Sequence, residues 1–209
     1  MDSWTPAPTK IIGIGTNYRL HAEEMGRAIP RVPKVFLMPP SSVIGTGEAI
    51  VLPPCSTRVD HEAELALVIG ERCRHVPESR ALDVIAGFTC ANDVTARDHQ
   101  RSDGVFSRAK GFDSFCPLGP QLVSGLDPSD VLVECRVNGE LRQSGRTSDL
   151  IFGVPEIVAF VSSIMTLEPG DVICTGTPSG VGPLHVGDHV EVFVEGIGVL
   201  ENPVIRASR

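Results

Sequence analysis

Apolar residues along this chain fall in short runs separated by proline, glycine and small polar residues, the pattern of strands joined by turns. Residues 10–15 (KIIGIG) predict a short buried strand, and Lys34–Met38 a second one that Pro39 and Pro40 stop. Residues 61–69 (HEAELALVI) have strand length and end at Gly70, although their Glu, Ala and Leu content would also suit a helix. Residues 85–93 predict a further strand. Residues 131–137 (VLVECRV) run into Asn138-Gly139, a strong hairpin signal. Residues 171–175, 189–195 and 198–200 also read as strands. Helical patterns are fewer: a turn over residues 17–26 that ends at Gly26, an opening at residues 77–84, and the amphipathic run 154–165 (VPEIVAFVSSIM), with Pro155 suited to a first turn. The sum is a mainly β chain with a few helices (α+β), with no repeat or linker, and hence a single domain over residues 1–209.

Composition narrows the field. Of 209 residues, 42% are hydrophobic and 21% charged, which is globular, and with 5% aromatics the core must rest on Val, Ile, Leu and Ala. The net charge of −8 and the lack of a basic stripe speak against nucleic acid, and an anionic ligand would need local positive charge from a metal, Lys or Arg. Six cysteines (Cys55, Cys73, Cys90, Cys116, Cys135 and Cys174) form no CxxC pair and read as reduced thiols. There is no signal-peptide run at the start and no apolar stretch of spanning length, so a cytoplasmic protein without membrane contact is expected.

Several residues carry candidate chemistry, each beside an ordinary structural reading. Gly13-Ile14-Gly15 hints at a dinucleotide loop, but the third glycine position is Tyr18, so a tight turn is the better reading. Glu62 and Glu64, two apart on a strand, would share the face continued by apolar Ala66 and Val68. Two carboxylates aimed inward must protonate or find a cation, whereas on a surface helix they would simply face water. Asp93, after a strand-like run, would complete an all-oxygen set suited to Mg²⁺ or Mn²⁺, with Ca²⁺ a further candidate; by itself it also fits a turn or helix cap. His21 and Glu24 sit at i and i+3, where a carboxylate orients an imidazole and makes it more basic; a solvated helical face has the same spacing. Lys110 precedes Gly-Phe and would place an ammonium beside a bound acid, if it is not an ordinary surface lysine. Residues 175–182 (TGTPSGVG) form a Gly-Pro-rich loop without the Lys-Ser/Thr ending of a phosphate loop.

Taken in order, these segments are similar to one family. HEAEL at 61–65, NDVTARDHQ at 92–100, AKGFDSFCPLGP at 109–120, VNGELRQ at 137–143 and LEPGDVICTGTPSGVGP at 167–183 resemble the fumarylacetoacetate hydrolase family, and GTNYRLHAEEMG at 15–26 resembles its lid. The resemblance implies a mixed β-sandwich roll of that family's C-terminal domain type, a lid at about residues 16–30, and a homodimer. It implies that Glu62, Glu64 and Asp93 are metal ligands, that His21 and Glu24 form a water-activating dyad, and that Lys110 contacts a bound acid. It places Gln100 and Thr177 in the lining of the substrate pocket and gives Arg97 either a structural or a substrate-binding role. Many relatives carry Lys-Pro where this chain has Met38-Pro39, which leaves the substrate's distal end to be handled differently. The expected activity is metal-dependent cleavage of a carbon–carbon bond in a small β-diketo (2-oxo) acid, giving pyruvate and a second acid. The alternatives are decarboxylation or tautomerisation of oxaloacetate-like acids, isomerisation of 2-hydroxydienoates, and a metal-binding protein on a retired enzyme scaffold.

Overall fold

The computed structural model describes residues 6–207. Its strands are, in chain order, β1 Ile11–Gly15, β2 Lys34–Met38, β3 Val43–Ile44, β4 Ile50–Leu52, β5 Val59–His61, β6 Ala63–Ile69, β7 Ile85–Asn92, β8 Thr95–Ala96, β9 Cys116–Val123, β10 Leu132–Val137, β11 Glu140–Arg146, β12 Val172–Cys174, β13 Gly182–Pro183, β14 His189–Val194 and β15 Gly198–Arg206. The α-helices are α1 Arg19–Glu24, α2 Arg97–Asp103, α3 Ser107–Lys110 and α4 Val154–Ile164.

A seven-stranded sheet has the order β2-β1-β12-β6-β7-β9-β3 and is mixed: β1 runs parallel to β12, while β6 is antiparallel to both its neighbours. A five-stranded sheet, β11-β10-β14-β15-β4, packs against one face of it. Leu65 and Leu67 of β6 share a core there with Val133 and Cys135 of β10, Val190 and Val192 of β14, and Ile157, Val158 and Val161 of α4. On the other face of β6, Ala66 and Val68 join Ile11, Met38, Cys116 and Cys174 in a second apolar cluster. Every residue of β6 is therefore buried, which explains why the sequence shows no clean alternation there and why strand wins over helix. Cutting Leu67 back to Ala would leave a cavity costing about 2–5 kcal/mol. A small sheet, β13-β5-β8, closes the end of β6 nearest Glu62.

Local chemistry accounts for the agreements and the differences. The β10–β11 hairpin turns at Asn138 (φ 54°) and Gly139 (φ 79°), the double positive φ that Asn-Gly supports. Residues 77–84 do not open an α-helix; Glu78–Val84 is a 3₁₀ turn whose buried residues, Ala81 and Val84, are three apart, matching its tighter period. Gly13 lies within β1 rather than in a tight turn, because the Phe36 ring rests on it: a Cβ there would stand 2.1 Å from the ring. The strand β9 escapes sequence reading because Pro117 and Pro120 lie inside it. All six cysteines are free thiols, and four of them are buried. Among the described residues, no helix is long and apolar enough to cross a membrane.

Candidate active site

The β6–β7 pair builds the floor of the site. Its register sets Ala63 opposite Asn92 and Glu64 opposite Ala91, which brings Glu62 and Asp93 together at the strand ends. Two bonds pin that end: the Glu62 backbone N–H donates to the Asn92 side-chain oxygen at 2.9 Å, and the Asp93 backbone N–H donates to the Glu62 carbonyl at 2.9 Å. Glu62 and Glu64, two apart on an extended chain, turn to one face. The three carboxylates are no more than 5% exposed, and each offers an oxygen within 4.8 Å of the others.

Cations reach only part of this cluster. The Lys110 ammonium donates to Glu62 at 2.9 Å and to the Thr95 hydroxyl at 2.9 Å, and it pairs with Asp93, so all three of its protons are engaged. Arg97 donates to Glu62 at 2.6 Å, to Asp60 at 2.9 Å and to the Gln100 side-chain oxygen at 3.3 Å. Burial opposes the charge on Glu62, yet Lys110 and Arg97 overcome it and hold that carboxyl below the ordinary range. Glu64 faces no cation directly; its Oε2 accepts the Gly176 N–H at 2.7 Å, and burial, with the nearby Asp93, pushes it well above the usual value. Burial pushes Asp93 up to about 6 against the pull of Lys110. The Asp93 Oδ1 is buried without a hydrogen-bond partner.

A buried, all-oxygen set with an orphaned acceptor fits a hard divalent cation, which would be held by Glu62, Glu64 and Asp93. A protonated carboxyl is the costlier solution near neutral pH, where a cation relieves all three groups together.

The roof comes from the segment after β1. Asn17 fixes its base, donating to the Phe152 and Thr175 carbonyls at 3.0 and 2.7 Å and accepting the Phe152 N–H at 2.9 Å. On α1, His21 is 4% exposed and lines the pocket. Its Nδ1 lies 3.2 Å from a Glu24 oxygen. Glu24 stands behind His21, outside the pocket, and accepts the Gly180 N–H at 3.0 and 3.2 Å, which ties α1 to the 175–182 loop. The helix ends in a Schellman turn: the Gly26 N–H (φ 62°) bonds Glu23 at 2.9 Å and the Arg27 N–H bonds Ala22 at 2.8 Å. Phe36 and Phe106 meet edge to face at 4.9 Å and supply an apolar wall of the small pocket.

Of the candidates from sequence, Glu62, Glu64, Asp93, His21, Lys110, Arg97, Gln100 and Thr177 all line this pocket, and Glu24 backs it. Their geometry separates their roles. The Thr177 hydroxyl donates to the Ala63 carbonyl at 2.8 Å and accepts from Gln143 at 2.7 Å, so its proton already has a partner. Arg97 is locked between Asp60 and Glu62 and orients carboxylates. Met38 is buried in the second apolar cluster, away from the pocket lining. Sequence reasoning missed Asp60, Thr16, Arg27 and the Phe36–Phe106 wall. Asp60 had a visible signal, since Asp60, Glu62 and Glu64 form a strict every-second-residue acidic run. Arg27 directly follows Gly26 and carries no motif of its own.

Comparison with known proteins agrees with this architecture. The family model described as "Fumarylacetoacetate (FAA) hydrolase C-terminal" matches residues 10–205. The mitochondrial oxaloacetate tautomerase of Arabidopsis thaliana is 44% identical over 95% of this chain and 92% of its own length. The crystal structure of a 5-carboxymethyl-2-hydroxymuconate delta-isomerase from Mycobacterium smegmatis superposes with a TM-score of 0.92 at 52% identity, covering 98% of this chain and 81% of that one. A fumarylacetoacetate hydrolase from psychrophilic Exiguobacterium antarcticum superposes with a TM-score of 0.88 at 43% identity, over 98% and 77%. With a model match across nearly all the described residues and relatives at this identity, the chain belongs to the fumarylacetoacetate hydrolase family.

Proposed function

We propose that this protein is a divalent-metal-dependent tautomerase or isomerase that interconverts the keto and enol forms of a small 2-oxo acid, oxaloacetate being the simplest. One observation carries the reading: His21, held from behind by Glu24, shares one small pocket with the buried Glu62, Glu64 and Asp93 cluster. Mg²⁺ or Mn²⁺, which Glu62, Glu64 and Asp93 would hold, would supply a Lewis acid that stabilises the negative charge developing on the 2-oxo oxygen.

The chain's own residues supply the rest. Glu24 holds the imidazole by Nδ1, which leaves Nε2 of His21 to take the proton from C3 of the keto acid and to return it in the reverse direction. Lys110 and Arg97 keep Glu62 ionised and in place. Phe36 and Phe106 exclude water beside the reacting carbon, which favours proton return over hydrolysis.

Carbon–carbon hydrolysis, the first expectation from sequence, is the second reading; the likeness to the Exiguobacterium hydrolase supports it. There His21 would deprotonate water rather than C3. Tautomerase and isomerase names among the relatives weigh toward the enolising reading. A two-substrate assay separates them. Metal-loaded protein is expected to accelerate decay of the oxaloacetate enol band while releasing little pyruvate from acetylpyruvate; rapid pyruvate release without enol decay would replace this reading with the hydrolase.

A further inference from the structure

Three cationic side chains line the pocket, and two of them already have carboxylate partners. Lys110 is bound by Glu62 and Asp93, and Arg97 by Asp60 and Glu62. Arg27 is different. Among the described residues it meets no carboxylate, and its side chain has one hydrogen bond, to the neutral Thr16 hydroxyl at 3.1 Å. A half-buried guanidinium aimed into a ligand pocket with most of its donors unengaged is a prepared anion site.

Two features show that this arrangement is built. The Schellman turn after α1 needs Gly26 at positive φ and fixes the Arg27 backbone by a 2.8 Å bond to Ala22. Thr16 sits at φ 59°, a conformation that a β-branched residue seldom adopts, and the Asn17 clamp beside it holds the segment there. The Thr16 oxygen accepts from Arg27, which leaves the hydroxyl proton available to the same ligand.

We propose that Arg27 and Thr16 form the distal recognition site of the pocket and select 2-oxo acids that carry a second carboxylate. This rests on the 2-oxo acid reading above. The 2-oxo acid end lies toward Glu62, Glu64 and Asp93, and the second carboxylate meets the Arg27 guanidinium, with the Phe36–Phe106 wall beside the linking carbon. The carboxylate-rich floor repels an unchelated anion, so the two ends of the pocket also fix the substrate's direction.

The test compares oxaloacetate with 2-oxobutyrate, which carries a methyl group in place of the distal carboxylate. Binding to Mg²⁺-loaded protein is measured by calorimetry, and enol–keto exchange of oxaloacetate gives KM and kcat. Wild type is expected to bind oxaloacetate tighter than 2-oxobutyrate by about tenfold or more, the strength of a charge-assisted pair. Arg27→Met, which keeps the aliphatic stem, should erase that margin by weakening oxaloacetate alone, raising KM with kcat retained, and Arg27→Lys should restore part of it. A margin that survives in Arg27→Met, or an equal loss for both ligands, overturns the proposal. Tight oxaloacetate binding without enol exchange would remove the tautomerase reading, while the binding comparison would still decide the role of Arg27.

Discussion

Among the described residues, two places gather three metal-ligating side chains within 4.8 Å: Glu62, Glu64 and Asp93 at the end of β6, and His189, Glu191 and Glu201 on the β14–β15 pair. In the second group, Glu191 and Glu201 are cross-strand partners, and His189 lies 3.7 Å from Glu201 with their side chains 47% and 51% exposed. Water solvates those charges, and their mutual repulsion is screened. In the first group the carboxylates are buried, so desolvation drives Glu64 and Asp93 up, and an Asp93 oxygen is left without a hydrogen-bond partner. The same number of ligands is a surface feature in one place and a demand for a cation in the other. Desolvation, rather than the residue count, makes the difference.

Substitutions within the buried group should separate its members sharply. Glu62→Ala strips Lys110 and Arg97 of a shared partner inside the protein and is expected to cost about 3–5 kcal/mol of stability as well as activity, measured by urea denaturation and enol–keto assay. Glu64→Gln preserves an oxygen for the Gly176 N–H and removes a charge that no cation directly balances. It should leave the metal-free protein as stable as wild type or more so, yet lower metal-dependent turnover by about a thousandfold. Equal destabilisation by both variants would break the distinction between a paired and an unpaired carboxylate.

His21→Ala tests the roof apart from the floor. Turnover should fall by about 10²–10⁴-fold, the range for losing a general base, while Mn²⁺ affinity by calorimetry stays within about twofold of wild type. Loss of Mn²⁺ binding would show that the dyad and the carboxylates are not separable.

Acidity offers a subtler probe. An unfolded Asp titrates near 4, whereas Asp93 in the metal-free fold is raised to about 6. Between those values the folded state binds more protons than the unfolded one, so chelated protein should lose stability as pH rises from about 4 to about 6. A divalent cation binds the ionised carboxylates, so its stabilising effect should grow over the same interval, reaching about 2–3 kcal/mol at a hundredfold excess over Kd. Melting curves with and without Mg²⁺ at several pH values check both slopes, and an increment independent of pH would contradict them. The smallest effects belong to the exposed group: Glu191→Ala should change stability by less than about 0.5 kcal/mol and leave the Mg²⁺ response untouched.

The floor of the site was legible in the sequence because a two-residue period survives in any extended chain, so Glu62 and Glu64 announce a shared face. The i, i+3 spacing of His21 and Glu24 was legible for the same kind of reason, and α1 does bring them into contact. What sequence does not carry is the pairing of distant charges. Arg97 and Lys110 look available in the chain, and only the closing of β5, β8 and α3 around β6 shows that carboxylates already occupy them. Arg27 is the converse, an inconspicuous residue after a helix stop that tertiary structure leaves facing the pocket without a carboxylate partner. Strand β9 was hidden by its prolines, whereas the Asn138-Gly139 hairpin was plain because its turn chemistry is local.

The measurement to make first follows the ultraviolet enol band of oxaloacetate with wild type and Glu64→Gln, each stripped by chelator and then titrated with Mg²⁺ or Mn²⁺. Enol–keto exchange that wild type regains with metal, and that Glu64→Gln does not, would establish the buried carboxylates as the metal-holding centre of an enolising enzyme. Exchange at the same rate in stripped wild type, or full recovery in Glu64→Gln, would show that the reaction does not depend on that cluster.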